Sequence, residues 1–120
     1  MKTIIAGSRS CTDPVELRKA LSACGWVPSV VISGCAAGVD RLGEEWSYAM
    51  RIPCLRFPAN WDLWGKAAGF RRNEEMAEHA EALLALWDGA SHGTEHMIQT
   101  AREKGLWVYV HRIPLIGTTQ

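Results

Sequence analysis

The sequence carries no excess of charge of either sign, because thirteen basic residues balance thirteen acidic ones. No global field therefore draws the chain to nucleic acid or anionic lipid, and any phosphate binding must be local. Long apolar runs are missing too. The stretch Met1 to Gly7 is too short for a signal peptide, and nothing later approaches the roughly 18 apolar residues of a membrane span, so a cytoplasmic chain without membrane contact is expected. Cys11, Cys24, Cys35 and Cys54 form no C-x-x-C pair, which argues against a zinc knuckle and a disulfide framework and leaves reduced thiols. Internal repeats and low-complexity segments are absent. The first turn lacks G-x-G-x-x-G, no acidic residue ends the second expected strand, and there is no Walker lysine. Ordinary nicotinamide binding and ATP hydrolysis are not expected, nor is any cofactor.

What is present is an ordinary globular composition, with 120 residues, 48% hydrophobic and 22% charged, enough for one packed domain. Residues 1–112 are expected to form it, with 113–120 as a C-terminal tail. Short apolar runs alternate with amphipathic stretches, the pattern of β-α units building a parallel sheet. Strands are expected at Thr3 to Ala6, Ser29 to Ser33, Cys54 to Phe57, Ala82 to Trp87 and Trp107 to Val110. Helical spacing recurs at Leu17, Ala20, Leu21 and Cys24, at Val39, Leu42, Trp46 and Ala49, at Met76, Ala77 and Ala80, and at Met97, Ile98 and Ala101, giving four helices. Asp13, Pro14 and Glu16 read as an N-cap, a first-turn proline and a capping-box acid, and Gly25 and Gly105 suit C′ positions. Pro58 to about Gly69 reads as one long loop, a length that calls for a function. Right-handed crossovers lead to a three-layer Rossmann-like α/β sandwich with strand order 3-2-1-4-5, the first helix on one face and later helices on the other. The switch point falls between the first and fourth strands.

Ligands of such sheets bind beyond the carboxyl ends of the strands. Three loops there are rich in small and polar residues: Gly7-Ser8-Arg9-Ser10, then Gly34-Cys35-Ala36-Ala37-Gly38-Val39-Asp40, then Asp88-Gly89-Ala90-Ser91-His92-Gly93-Thr94. Glycine admits an oxyanion close to backbone N–H groups, and a helix N-terminus adds positive partial charge. Any one of these loops taken alone reads equally well as a tight strand-to-helix turn. Together they point to a site. The long connection adds Trp61 through Asn73, with aromatic rings able to stack on a base, Lys66, Arg71 or Arg72 able to meet phosphate, and Asn73 able to hydrogen-bond a polar edge. Trp61 and Trp64 can equally pin the loop to the core, and Arg71 can be a solvated helix residue.

These motifs, taken in order with Ile5-Ala6-Gly7-Ser8-Arg9 at the front and Trp87 through Thr94 at the back, resemble the cpYpsA-related branch of the SLOG superfamily over about Lys2 to Val110. The resemblance implies a Rossmann-like fold of bacterial and phage distribution, and a nucleotide-related ligand more than any one reaction. Relatives in the wider superfamily include LOG-type phosphoribohydrolases, the DNA-processing protein A family and sensors of nucleotide derivatives. Catalytic LOG proteins carry P-G-G-x-G-T-x-x-E. Here the corresponding run is Ser91-His92-Gly93-Thr94-Glu95-His96-Met97, with Met97 where the catalytic glutamate is expected and Cys35 in place of the family's second glycine. Cleaving an N-glycosidic bond needs a carboxylate, for which Asp40, Asp88 and Glu95 are the candidates.

His92 and His96 are four apart, but no third metal ligand accompanies them, and no metal is expected. His79 and His111 say less still. Cys35 beside a helix N-terminus reads as a small packed residue rather than a reactive thiolate, and Glu44, Glu45, Glu74, Glu75 and Glu78 read as solvated helix faces. Trp26, Trp46, Trp87 and Trp107, four of six tryptophans, are assigned to the core or to a subunit interface such as that of a C2 homodimer. The reading is a nucleotide-binding or sensor domain. Its ligand residues are Gly7, Ser8, Arg9, Gly34, Cys35, Ala36, Gly38, Asp40, Lys66, Arg72, Asn73, Asp88, Ser91, Gly93 and Thr94. The alternatives are a hydrolase of a nucleotide derivative using Asp40 or Glu95 and, disfavoured by the balanced charge, a nucleic-acid-binding module.

Overall fold

The computed structural model describes residues 1–115. Along the chain run β1 (Lys2–Gly7), α1 (Pro14–Ala23), β2 (Val30–Ser33), α2 (Val39–Ala49), β3 (Cys54–Arg56), α3 (Trp61–Trp64), a 3-10 turn (Gly65–Ala67), α4 (Ala68–His79), β4 (Ala82–Trp87), α5 (His92–Glu103) and β5 (Trp107–Arg112). All five strands are parallel and their order is β3-β2-β1-β4-β5, as the alternation of elements predicts. Central β1 pairs Ile4 with Ile32 of β2 on one side and with Leu83 of β4 on the other. Buried on both faces, β1 and β4 read as near-continuous apolar runs rather than alternating ones.

Two clusters of buried side chains cover the sheet. On one face Leu17 and Ala20 of α1 and Val39 and Leu42 of α2 pack on Ile5, Val31, Leu84 and Leu86. On the other, Met76 and Ala77 of α4 and Met97, Ile98 and Ala101 of α5 pack on Ile4, Ile32, Leu83 and Ala85. The second helix thus shares the face of the first, correcting the expectation that only the first helix stands apart. The reason is topological: β1 to β2 and β2 to β3 step the same way across the sheet, so two right-handed crossovers land on one face.

Asp13 caps α1 by accepting from the Val15 N–H at 2.9 Å, and Pro14 opens the helix. Glu16 does not close a capping box, however, since its carboxylate instead bonds His111 Nε2 at 2.8 Å and ties α1 to β5. Gly25 and Gly105 follow helix ends with φ of 93° and 76°, the left-handed geometry of C′ residues. The expected long loop is also corrected. Asn60 accepts from the Leu63 N–H at 3.0 Å and starts α3, and the 3-10 turn then feeds straight into α4, so α-helices among the described residues number five rather than four. Trp26, Trp46 and Trp87 are half-buried, whereas Trp107 is 66% exposed and does not belong to the core. Ile113, placed in the tail by the sequence reading, is buried and donates its N–H to the Trp87 carbonyl at 3.0 Å; residues 116–120 lie outside the described residues. Among the described residues no helix is long and apolar enough to cross a membrane.

Candidate functional site

The switch point between β1 and β4 forces the β1–α1 and β4–α5 loops apart, and the residues beyond them decide what fills the gap. Gly7 lies so close to the Leu86 carbonyl that a Cβ there would overlap it. Gly38, at φ 74°, packs its backbone on the carbonyls of Ser8 and Arg9, and the neighbouring Val39 N–H donates to Ser8 O at 3.2 Å. These two glycines knit the first two loops together. Asp88 does the same for the third. Its Oδ1 accepts from the N–H groups of Ala90 and Ser91, each at 2.8 Å, and Oδ2 accepts from Ser8 Oγ at 3.3 Å. The backbone donors, Ala90 first, hold the Asp88 carboxyl below its ordinary value, so it stays an anionic strut.

Between these loops and the α3–α4 segment opens a cleft of about 440 Å³. At its far wall stands the N-terminus of α5. Ser91 provides no side-chain cap, because its Oγ pairs with Thr94 Oγ1 at 3.1 Å, and among the described residues the first-turn N–H groups have no side-chain acceptor. A Cβ on Gly93 would meet nothing within 4 Å, so here the glycine leaves open space rather than making room for protein. The floor is apolar, made by Met76 and Met97, each 1% exposed, while Trp61 and Phe70 stand at the mouth, about half exposed. Arg9 and Lys66 line the same cleft, and among the described residues neither forms an ion pair.

Behind this opening lies a buried polar relay. Arg72 donates through Nη1 to the Gly34 carbonyl in a very close contact and through Nε to Asn73 Oδ1 at 3.1 Å. That fixes the Asn73 amide, whose Nδ2 donates to Gly93 O at 3.3 Å and to His96 Nδ1 at 3.1 Å. With Nδ1 accepting, the His96 proton sits on Nε2 and faces Thr100 Oγ1 at 3.4 Å. The ring also stacks on Phe70, with centroids 4.0 Å apart. Asn73 therefore clamps α4 to the first turn of α5 and sets the width of the cleft. Asp40, buried beside Gly34, accepts from the Ala36 N–H at 3.1 Å. Burial pushes its pKa up, with Ala36 and the charges of Arg72 and Arg9 opposing the rise only in part. Burial likewise lowers the pKa of Arg72, which nevertheless stays charged at neutral pH.

Of the residues singled out from sequence, Gly7, Ser8, Arg9, Ala36, Asp40, Lys66, Arg72, Asn73, Ser91, Gly93 and Thr94 line one cleft. Gly34, Cys35, Gly38 and Asp88 are not among its lining residues, although Gly34, Gly38 and Asp88 pack behind those that are. Glu95 also lies outside, exposed, with its carboxylate 3.8 Å from His92 Nδ1. Cys35 holds φ 66°, the region glycine favours, and burial raises the pKa of its thiol, which keeps it protonated. His96 engages both ring nitrogens within the relay. Ser10, Phe70, Met76 and Met97 also line the cleft without having been picked as ligand residues. The methionines carry a helix-core spacing, and only the fold shows that they sit at the sheet's carboxyl end.

Comparison with known proteins completes the picture. A family model described as YspA, cpYpsA-related SLOG family matches residues 1–64. The chain is also similar to the Gene 61 protein of Mycobacterium phage D29, at 32% identity over 117 residues, covering 88% of this chain and 91% of that protein.

Proposed function

Because the chain belongs to the YspA, cpYpsA-related SLOG family, we propose that it binds a nucleotide or nucleotide-derived ligand at the carboxyl edge of the sheet, as a binding or sensing domain. The observation that carries this reading is the uncapped N-terminus of α5 opening, through Gly93, into a cleft with two unpaired cations. A phosphoryl group there takes the free N–H groups of the first turn and the favourable end of the helix dipole. Arg9 and Lys66 supply the countercharge that the balanced composition does not. Trp61 with Phe70 offers aromatic faces to a base, over the apolar floor of Met76 and Met97. Phe70 is held for this by its stack on His96.

Titration calorimetry with nucleoside mono-, di- and triphosphates tests the assignment. Binding that weakens about tenfold or more in Lys66→Ala, and again in Arg9→Ala, is the expected result, since a charge-assisted hydrogen bond contributes roughly 1.5–3 kcal/mol. Unchanged affinity in both variants removes the phosphate assignment.

A second reading is favoured by one observation, the buried Asp40 carboxyl on the cleft wall with its raised pKa. A cleft carboxyl whose pKa burial raises holds its proton more firmly than a solvated one and can serve as a general acid toward a leaving group, which would make the domain a hydrolase of a nucleotide derivative. Met97 on the floor counts against it, since an apolar side chain occupies the place where the resemblance puts a catalytic glutamate. Chromatography of the bound ligand after incubation separates the two readings. Intact ligand supports binding, whereas release of free base or phosphate that is lost in Asp40→Asn supports hydrolysis.

A further inference from the structure

The helix α3 has only four residues, none of them buried, and it holds a set of apolar side chains in water. Trp61, Leu63 and Trp64 are 52%, 65% and 43% exposed. Exposed apolar groups gathered in this way mark interaction surfaces. Trp61 and Trp64, three apart in a helix, share one side of it, so the ring sites are neighbours. Trp61 belongs to the cleft, whereas Trp64 stands just outside it. Over the Trp64 ring lies the Arg71 guanidinium, 3.7 Å from the centroid, and among the described residues Arg71 forms no ion pair. An aromatic ring carrying an uncompensated cation, next to a cleft already furnished with Arg9 and Lys66, is the chemistry that receives a base and the phosphate leading to it.

Resting on the nucleotide reading above, we propose that the ligand carries a second heteroaromatic base, joined to the first through phosphate, and that Trp64 with Arg71 is the shelf on which this second base stacks. Phe70 and Trp61 in the cleft serve the first base and Trp64 the second, with Arg9 and Lys66 lining the cleft and Arg71 lying over the Trp64 ring. A long nucleic-acid strand fits less well. Binding one requires an extended basic track, but after Arg71 and Arg72 the α4 sequence turns acidic at Glu74, Glu75 and Glu78, all exposed.

The test compares nucleoside diphosphates of adenosine, guanosine, cytidine and uridine with the matching dinucleoside diphosphates, in which two nucleosides are joined 5′ to 5′ through a diphosphate. Affinities are measured by calorimetry for the wild type and for Trp64→Ala, whose exposed site leaves folding intact. For the preferred base, the dinucleotide is expected to bind at least about 5-fold more tightly than the diphosphate, as one base–aromatic stack implies. Trp64→Ala should abolish that advantage and leave the affinity for the nucleoside diphosphate unchanged. Equal affinity for both ligands overturns the shelf while leaving the nucleotide reading in place. So does equal weakening of both by Trp64→Ala. Affinity for oligothymidylate that rises with length and falls steeply with salt replaces the small ligand with a polymer and overturns the proposal. Sedimentation showing that Trp64→Ala dissociates a dimer without changing dinucleotide affinity reassigns the surface to a second copy of the chain. If none of the eight nucleotides binds, the nucleotide reading fails and this proposal falls with it.

Discussion

Replacing Gly93 with alanine should move stability and binding in opposite directions. Gly93 is the second residue of α5, and a Cβ built on it meets no atom within 4 Å. The substitution therefore costs no packing and removes part of glycine's entropic disadvantage in a helix, a gain of about 0.5 kcal/mol at this first-turn position. With an unfolding entropy near 2.1 cal/mol/K per residue, a chain of 120 residues rises by about 2 °C in Tm. The same methyl crowds the approach to the first-turn N–H groups, which are the phosphate donors in this account. Affinity should fall about tenfold, or about 1.4 kcal/mol. Scanning calorimetry of the empty protein gives the first number and titration with the best-bound nucleotide the second. A drop in Tm would show that the space beside Gly93 is filled, and a Tm rise with undiminished affinity would refute the placement of phosphate at α5.

Other perturbations probe the framework. Cys35→Gly relieves a left-handed backbone at φ 66° and should stabilise the fold by about 0.5–1 kcal/mol, read as a higher urea midpoint with an unchanged slope. Glu16 has a pKa lowered from 4.5 chiefly by its hydrogen bond to His111. Its contribution is therefore complete above 4.5 and is lost as pH falls through the lowered folded value, so the stability of Glu16→Gln should vary less with pH than that of wild type in that acid window. Asp40 has the opposite sign. Burial raises its folded pKa above 3.8, so its ionisation erodes stability as pH rises from 3.8 through the folded value, and Asp40→Asn should remove that decline in pH-dependent urea melts.

Much of this arrangement is written in local pattern. Ile4 and Ile5, Val31 and Ile32, and Leu83 to Leu86 announce strands buried on both faces, and the spacing of amphipathic stretches between them leaves few topologies, of which 3-2-1-4-5 is the one found. Most of the cleft was legible for the same reason, since small residues just after strands gather at one edge. What sequence did not disclose depends on tertiary contact. α3 is too short for an amphipathic period, so Trp61 to Trp64 read as loop until the Asn60 cap is seen. Glu16 matches a capping box by spacing, but a histidine ninety-five residues away takes its carboxylate. Arg72 reads as a cation able to meet phosphate, and only the fold shows that it also holds the Gly34 carbonyl and Asn73. Met76 and Met97 look like helix core and are, yet their position under the carboxyl end also makes them the cleft floor.

The central claim, that this cleft takes a nucleotide, is tested most directly by calorimetric melting of the purified protein with and without nucleoside phosphates. Ligand at about 100 times its Kd adds about 2.7 kcal/mol, which for a domain of this size raises Tm by about 10 °C. The account predicts such a shift for at least one nucleotide and a smaller one in Lys66→Ala. An unmoved transition with every nucleoside mono-, di- and triphosphate would contradict it.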